Sequence, residues 1–380
     1  MLPSMLAILA GLVLLVAGGE VLVRGASNIA AAIGMSPLVV GLTVVSFATS
    51  APEFAVTMKS VAAGSPGLAV GNVVGSNIAN ILLVLGIAAI ITPLAVKSRV
   101  VRFDVPVMIG LSLIVTVMAF NGVIARWQGA ILVVLLAVYV IWTVRIGRSD
   151  PEGEKEKLDP DWIDGELRPE PVAERSTRNM LASVVMVAVG IGALVLGASV
   201  LVSGATTIAS ALGLSDLVIG LTIVAVGTSL PELATSIVAA LRGERDLAVG
   251  NAVGSNIFNL GAVLGFAAIL SPDGIVIPEG AQNLDFLLMT GVAILLLPVV
   301  YTGYAVGRWE GILFVSYYVA YTTYLLLMSS EHESLAPFST VMLAFVIPLT
   351  FLFLIVLAVA EHSRRHRPDV PAPPEATAVE

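Results

Sequence analysis

The chain has 380 residues, 57% of them hydrophobic and only 12% charged, with a mean hydropathy of +0.99. A soluble domain would carry about 25% charged residues, and apolar runs of roughly 20 residues recurring from end to end leave a polytopic helical membrane protein as the class that fits. A net charge of -8, from 19 Lys and Arg against 27 Asp and Glu, offers no basic surface for nucleic acid, and the lack of cysteine removes disulfides, thiolate nucleophiles and Cys-held metals.

In chain order, the apolar stretches predict helices over residues 3–23, 37–62, 68–92, 104–122, 127–146, 179–203, 216–241, 247–270, 284–301, 309–328 and 339–360. The first lacks the positive flank of a signal peptide and reads as a retained span. Residues 147–178 form an acidic, Pro-containing linker, and residues 361–380, rich in Pro, Ala and charge, read as a disordered tail. Loops on the N-terminal side of the membrane hold only Lys59 and Arg126, and the opposite side holds the other 17 Lys and Arg. The positive-inside rule then predicts an integral protein of the cell membrane, with the N-terminus outside and the large loop and C-terminus cytoplasmic. Arg364, Arg365 and Arg367 fall on the positive side only if the number of spans is odd, which favours eleven over ten.

An internal repeat organises these spans. GLTVVSFATSAPE (Gly41 to Glu53) returns 179 residues later as GLTIVAVGTSLPE (Gly220 to Glu232), and LAVGNVVGSNIAN (Leu68 to Asn80) returns at the same offset as LAVGNAVGSNIFN (Leu247 to Asn259). ARWQG (Ala125 to Gly129) answers GRWEG (Gly307 to Gly311) at an offset of 182. The predicted fold is all-α: a first five-helix repeat over residues 1–146, the linker, a second over 179–328, an additional transmembrane helix over 329–360, and the tail. Because five is odd, the second repeat crosses in the opposite sense. Inverted repeats place their substrate sites near the bilayer midplane, on helices interrupted by small residues and Pro.

Glu53 and Glu232 are the only carboxylates deep in the predicted spans. An ionised group there costs at least about 2.5 kcal/mol, which makes each a functional candidate. As repeat mates that each follow a Pro, they are expected to converge across the pseudo-two-fold axis. Thr49, Ser50, Thr228 and Ser229 precede them by four and three residues, one turn away on nearly the same face. Pro52 and Pro231 lack N–H groups and free carbonyl oxygens. Asn72, Ser76 and Asn80 share a helix face, as do Asn251, Ser255 and Asn259. Neutral oxygens around paired carboxylates suit calcium, which takes about 6 to 8 oxygen ligands, better than magnesium, which dehydrates reluctantly. Glu20 with Arg24 reads as an i, i+4 pair near a span end, Asp104 and Asp285 as interfacial residues, and Arg126 and Arg308 as helix-end anchors. The three histidines lie outside the repeats and suggest no proton relay or zinc site.

The paired GTSLPE-type and GNxxGSNIxN-type segments resemble the two alpha-repeats of the sodium/calcium exchanger family, in the cation/calcium antiporter superfamily, and the resemblance covers about residues 1 to 330. It implies a ten-helix core in which calcium and sodium bind alternately on the second, third, seventh and eighth spans. It further implies that Glu53 and Glu232 ligate calcium with the carbonyls of Thr49 and Thr228. Sodium would use the same glutamates with Ser50, Ser76, Ser229 and Ser255 and the carbonyls of Ser46 and Ala225. Family members vary between Asn and Asp at the positions of Asn80 and Asn259; two Asn here leave two formal carboxylates and disfavour potassium co-transport. Ala48, where the second motif has Gly, is expected to stiffen that bend. The implied activity is secondary antiport of calcium against sodium, without cofactor or enzyme chemistry, the ions being transported substrates and the lipid bilayer the surrounding partner. A calcium/proton antiporter using the same glutamates is the alternative, and a passive calcium channel the next.

Overall fold

The computed structural model describes residues 2–149, 177–213, 225–278, 284–330 and 332–365. Most of the acidic linker, the start of the seventh predicted span and the tail beyond residue 365 lie outside the described residues. Helices α1 (Leu2–Ile33), α2 (Pro37–Thr49), α3 (Ala51–Ala62), α4 (Pro66–Ile91), α5 (Val100–Ala119) and α6 (Arg126–Ser149) make the first unit. The second comprises α7 (Thr177–Ala211), α8 (Ala225–Thr228), α9 (Leu230–Leu241), α10 (Arg245–Leu270), α11 (Phe286–Tyr301) and α12 (Arg308–Ser329), and α13 (Leu335–Arg365) follows it, its helical hydrogen bonding continuing five residues into the tail expected from residue 361. Among the described residues eight helices are long and apolar enough to cross a membrane singly, and α2 with α3, bent by 40°, makes a ninth. The shorter apolar helices α9 and α11 stand where the seventh and ninth spans are predicted.

Repeated signals punctuate the two units. Gly34 and its mate Gly213 (φ +69° and +83°) follow α1 and α7, and Gly64 and its mate Gly243 (φ +69° and +79°) follow α3 and α9. Glycine takes the left-handed conformation that ends a helix without the steric cost of a Cβ. Helix α1 runs to Ile33, well past the predicted end at residue 23, because apolar counting stops at Glu20 and Arg24 while backbone hydrogen bonding continues through GASNIAAAI.

Helices α1 and α7 pack antiparallel along a seam of small residues spaced by seven: Ser4, Gly11, Gly18 and Gly25 against Ser183, Gly190, Gly197 and Gly204. A Cβ on Gly11 would lie 2.7 Å from the Gly197 carbonyl oxygen, and one on Gly190 would lie 2.7 Å from the Leu22 nitrogen. Small side chains let the two backbones meet, the usual way of packing helices where lipid removes the hydrophobic driving force.

Helices α4 and α10 are the most enclosed, and α12 and α13 the least. Each central helix widens into a π-helical segment at the same place in its repeat, Asn80–Leu85 and Asn259–Leu264, a distortion frequent at functional sites. Two ladders of two residues each tie the repeats together: β1 (Leu94–Ala95) pairs with β4 (Ala305–Val306), and β2 (Val123–Ile124) pairs with β3 (Ile275–Val276). Arg126 Nε donates to the Ile269 carbonyl (3.0 Å) and Arg308 Nε to that of Ile90 (3.2 Å), so each arginine caps a helix of the opposite repeat, as an anchor should. Helix α13 is held to α12 by a Tyr317 to Thr350 hydrogen bond (2.8 Å) and an edge-on Trp309–Phe353 contact.

Candidate functional site

The predicted continuous helix over 37–62 is broken. Ser50 (φ -77°, ψ 3°) separates α2 from α3, and Ser229 (φ -87°, ψ 4°) separates α8 from α9 in the same way. Pro52 and Pro231 lie in the first turns of α3 and α9, where a missing N–H is tolerated. The break falls at the equivalent serine in both repeats, with Ala48 two residues before it in the first and Gly227 in the second. Glu53 and Glu232 fall in those same first turns, where free N–H groups and the helix dipole favour a negative charge.

Asparagines fix this geometry. Asn72 Nδ2 donates to the Glu53 carbonyl (3.0 Å) and the Thr57 hydroxyl (2.9 Å), and its mate Asn251 donates to the Glu232 carbonyl (3.4 Å) and the Ser236 hydroxyl (3.2 Å). Thr49 crosses between repeats: its hydroxyl donates to Asn251 Oδ1 (3.1 Å) and lies 3.4 Å from Ser255 Oγ. The Ser46 hydroxyl is occupied by the carbonyls of Gly41 (2.6 Å) and Asn251 (3.1 Å), while the Ser46 carbonyl accepts from the Ser50 nitrogen (3.0 Å). Thr228 ends α8 half-buried, and the Ala225 backbone opens that helix.

Both glutamates are 0% exposed. Their four carboxylate oxygens have no hydrogen-bond partner, and neither do Ser50 Oγ, Ser229 Oγ, Asn80 Oδ1 or either side-chain polar atom of Asn259. The Ser76 hydroxyl lies beside Glu53, the Thr49 hydroxyl lies beside Glu232, and Glu232 sits in the field of Glu53. Each buried polar group left unpaired costs about 1–3 kcal/mol, and an ionised one more. Among the described residues no group of three or more His, Cys, Asp or Glu comes together. The two buried carboxylates stand among hydroxyl and amide oxygens.

Asp104, at the start of its span, is fully buried among side chains: Tyr139 donates to its Oδ1 (2.9 Å), and Arg99, 5.8 Å from the Trp142 ring centre, lies 3.7 Å from its Oδ2. Glu20 pairs with Arg24 (2.8 Å) as expected, but it also binds Arg242 at the end of α9 through both carboxylate oxygens, which sequence spacing could not reveal. The structure adds Asn77, Asn256, Met108 and Met289 to the site's surroundings. Duplication marks the two asparagines, but they lie off the face that carries residues 72, 76 and 80.

Two inverted helical units with paired buried carboxylates at their interface define a membrane transporter of the inverted-repeat class. The sodium/calcium exchanger protein family matches residues 3–145 and 182–327, and the chain belongs to that family. The CaxA protein of Alkalimonas amylolytica is 37% identical over 87% of this chain and 100% of its own length. The sodium/calcium exchanger MaX1 of Methanosarcina acetivorans is 31% identical over 84% of this chain and 97% of its own. A solved structure of the sodium-calcium exchanger NCX_Mj superposes with a TM-score of 0.70 at 30% identity, covering 84% of this chain and 97% of that one. The family's activity is cation/calcium antiport, a transport function rather than an enzymatic one.

Proposed function

We propose that this protein exchanges calcium for sodium by alternating access, with each ion in turn occupying a site shared by Glu53 and Glu232. The observation that carries the reading is the set of four wholly buried carboxylate oxygens without a protein partner. Two negative charges in a low-dielectric interior need matching positive charge. One calcium ion supplies it, with the carbonyls of Thr49 and Thr228 completing the shell. Sodium ions supply it separately, through the same glutamates, Ser50, Ser76, Ser229, Ser255 and the carbonyls of Ser46 and Ala225. Asn80 and Asn259 contribute neutral oxygens between them. Competition for one carboxylate pair couples the flows, and exchange of three sodium ions for one calcium makes transport electrogenic.

Helices α1 and α7 slide as a pair against the ion-binding helices; their seam of small residues supports their moving as one body. In the cell membrane the N-terminus lies outside and the large loop inside, as the lysines and arginines indicate.

The test is calcium uptake into proteoliposomes driven by an outward sodium gradient. Glu53→Gln and Glu232→Gln should each abolish uptake while the variants stay folded. Wild-type uptake in either variant would overturn the site, and uptake driven by a pH gradient alone would make the proton the counter-ion.

A further inference from the structure

Four asparagines lie buried between the repeats, Asn77 and Asn80 on α4 with their mates Asn256 and Asn259 on α10. Asn256 Nδ2 donates to the Asn77 carbonyl (3.2 Å) and lies 3.5 Å from Met108 Sδ. Its Oδ1 is thereby left to accept, and Asn80 Nδ2 donates to it at 3.1 Å. With its nitrogen committed, Asn80 keeps only its oxygen free, and that oxygen is buried without a protein partner.

The arrangement has a mirror image. Asn77 Nδ2 lies 3.7 Å from the sulfur of Met289, the repeat mate of Met108. The bond that would match Asn80 to Asn256 runs from Asn259 Nδ2 to Asn77 Oδ1, and both of these atoms are buried and unpartnered. In this conformation the Asn80 arm is set and the Asn259 arm is not.

The end of a carboxamide that meets a cation matters, because the oxygen attracts it and the two N–H bonds repel it. The orientation of an amide is decided by its hydrogen-bond network. We infer that Asn256, held by the Asn77 carbonyl and the Met108 sulfur, is a positioning residue for cation exchange, fixing the Asn80 carboxamide with its oxygen toward the ion. This rests on the proposed reading in which Asn80 faces the transported cation.

The experiment measures the calcium dependence of sodium-driven uptake in proteoliposomes for Asn256→Leu, Asn256→Asp and Asn80→Ala. Asn256→Leu removes the acceptor and should raise KM for calcium about tenfold with Vmax little changed, an effect the size of one lost hydrogen bond. Asn256→Asp restores an acceptor oxygen and should bring KM back to the wild-type value or below. A simple structural link between repeats would instead lower Vmax and thermal stability together with KM unmoved, and that result would overturn the inference. If Asn256→Leu does not fold, Met108→Leu conserves volume while removing the sulfur, and it should raise KM in the same direction; an unchanged KM there also overturns it. Asn80→Ala separates the two levels. If it raises KM while Asn256→Leu does not, only the positioning role fails; if it leaves KM unchanged, Asn80 does not face the cation and the reading beneath fails with it.

Discussion

Placing a methyl group in the α1–α7 seam tests whether these helices form one body. A Cβ at Gly197 would meet the Gly11 carbonyl oxygen, Leu14 Cβ and Leu15 nitrogen, all at 2.9 Å, and one at Gly11 would come within 2.7 Å of the Gly197 carbonyl oxygen and the Leu201 nitrogen. Relief to ordinary contact means opening the seam by about 0.5–0.7 Å, and a gap of that size forfeits about a quarter to a half of the dispersion at each facing atom pair. Overpacking of this kind costs about 1–3 kcal/mol, against about 1 kcal/mol gained from replacing Gly by Ala within a helix. Gly192, on the same helix, has open space where a Cβ would stand. Gly192→Ala is therefore expected to keep or raise the melting temperature, while Gly197→Ala and Gly11→Ala lower it relative to that control. Thermal unfolding in detergent, followed by size-exclusion chromatography, reads the difference. Equal melting of Gly197→Ala and Gly192→Ala would show that the seam is not close-packed, and the sliding pair would lose its structural support.

The remaining expectations concern charges at the end of α9. Glu20 and Arg242 join α1 to α9, whereas their repeat mates Ser199 and Ala63 carry no charge, so the tie exists on one side of the molecule only. A double-mutant cycle with Glu20→Gln and Arg242→Gln should give a coupling of roughly 1 kcal/mol in melting experiments; strictly additive effects would show that the pair contributes nothing. Burial pushes the pKa of Glu244, which lies outside the spans, above its ordinary value of 4.5; nearby Asp246 adds to the rise, and Ser27, Arg242 and Lys97 oppose it. The folded state then holds this proton more tightly than the unfolded one. Its contribution to stability is fully present below pH 4.5 and is lost as pH rises through the raised pKa. Glu244→Gln should flatten that part of a melting-versus-pH curve, and an unaltered slope would rule this out.

Much of the architecture was legible because apolar length and duplication are properties of the chain itself. Surface that faces lipid must be apolar, so long apolar stretches mark where helices such as α1, α4, α7 and α10 stand. A repeat of 179 residues pairs Glu53 with Glu232 and Asn80 with Asn259 without any coordinates. Spacing carries less information about what side chains meet. Asn72 shares a helix face with Ser76, yet its amide is spent on the Glu53 carbonyl and Thr57, so it braces the bend. Asp104 begins a predicted span, but Arg99 and Tyr139 allow it to be buried. Met108 and Met289 carry no motif at all, and only their approach to Asn256 and Asn77 brings them to notice.

The all-helical membrane class, the inverted duplication and the repetition of the glutamates can be read from the chain, because hydrophobic length, an odd helix count and repeated motifs are local or periodic features. Which oxygens remain unpaired, which asparagine nitrogens are committed and how closely α1 meets α7 emerge from packing. Those outcomes depend on atoms brought together from opposite repeats, at distances that one-dimensional spacing does not encode.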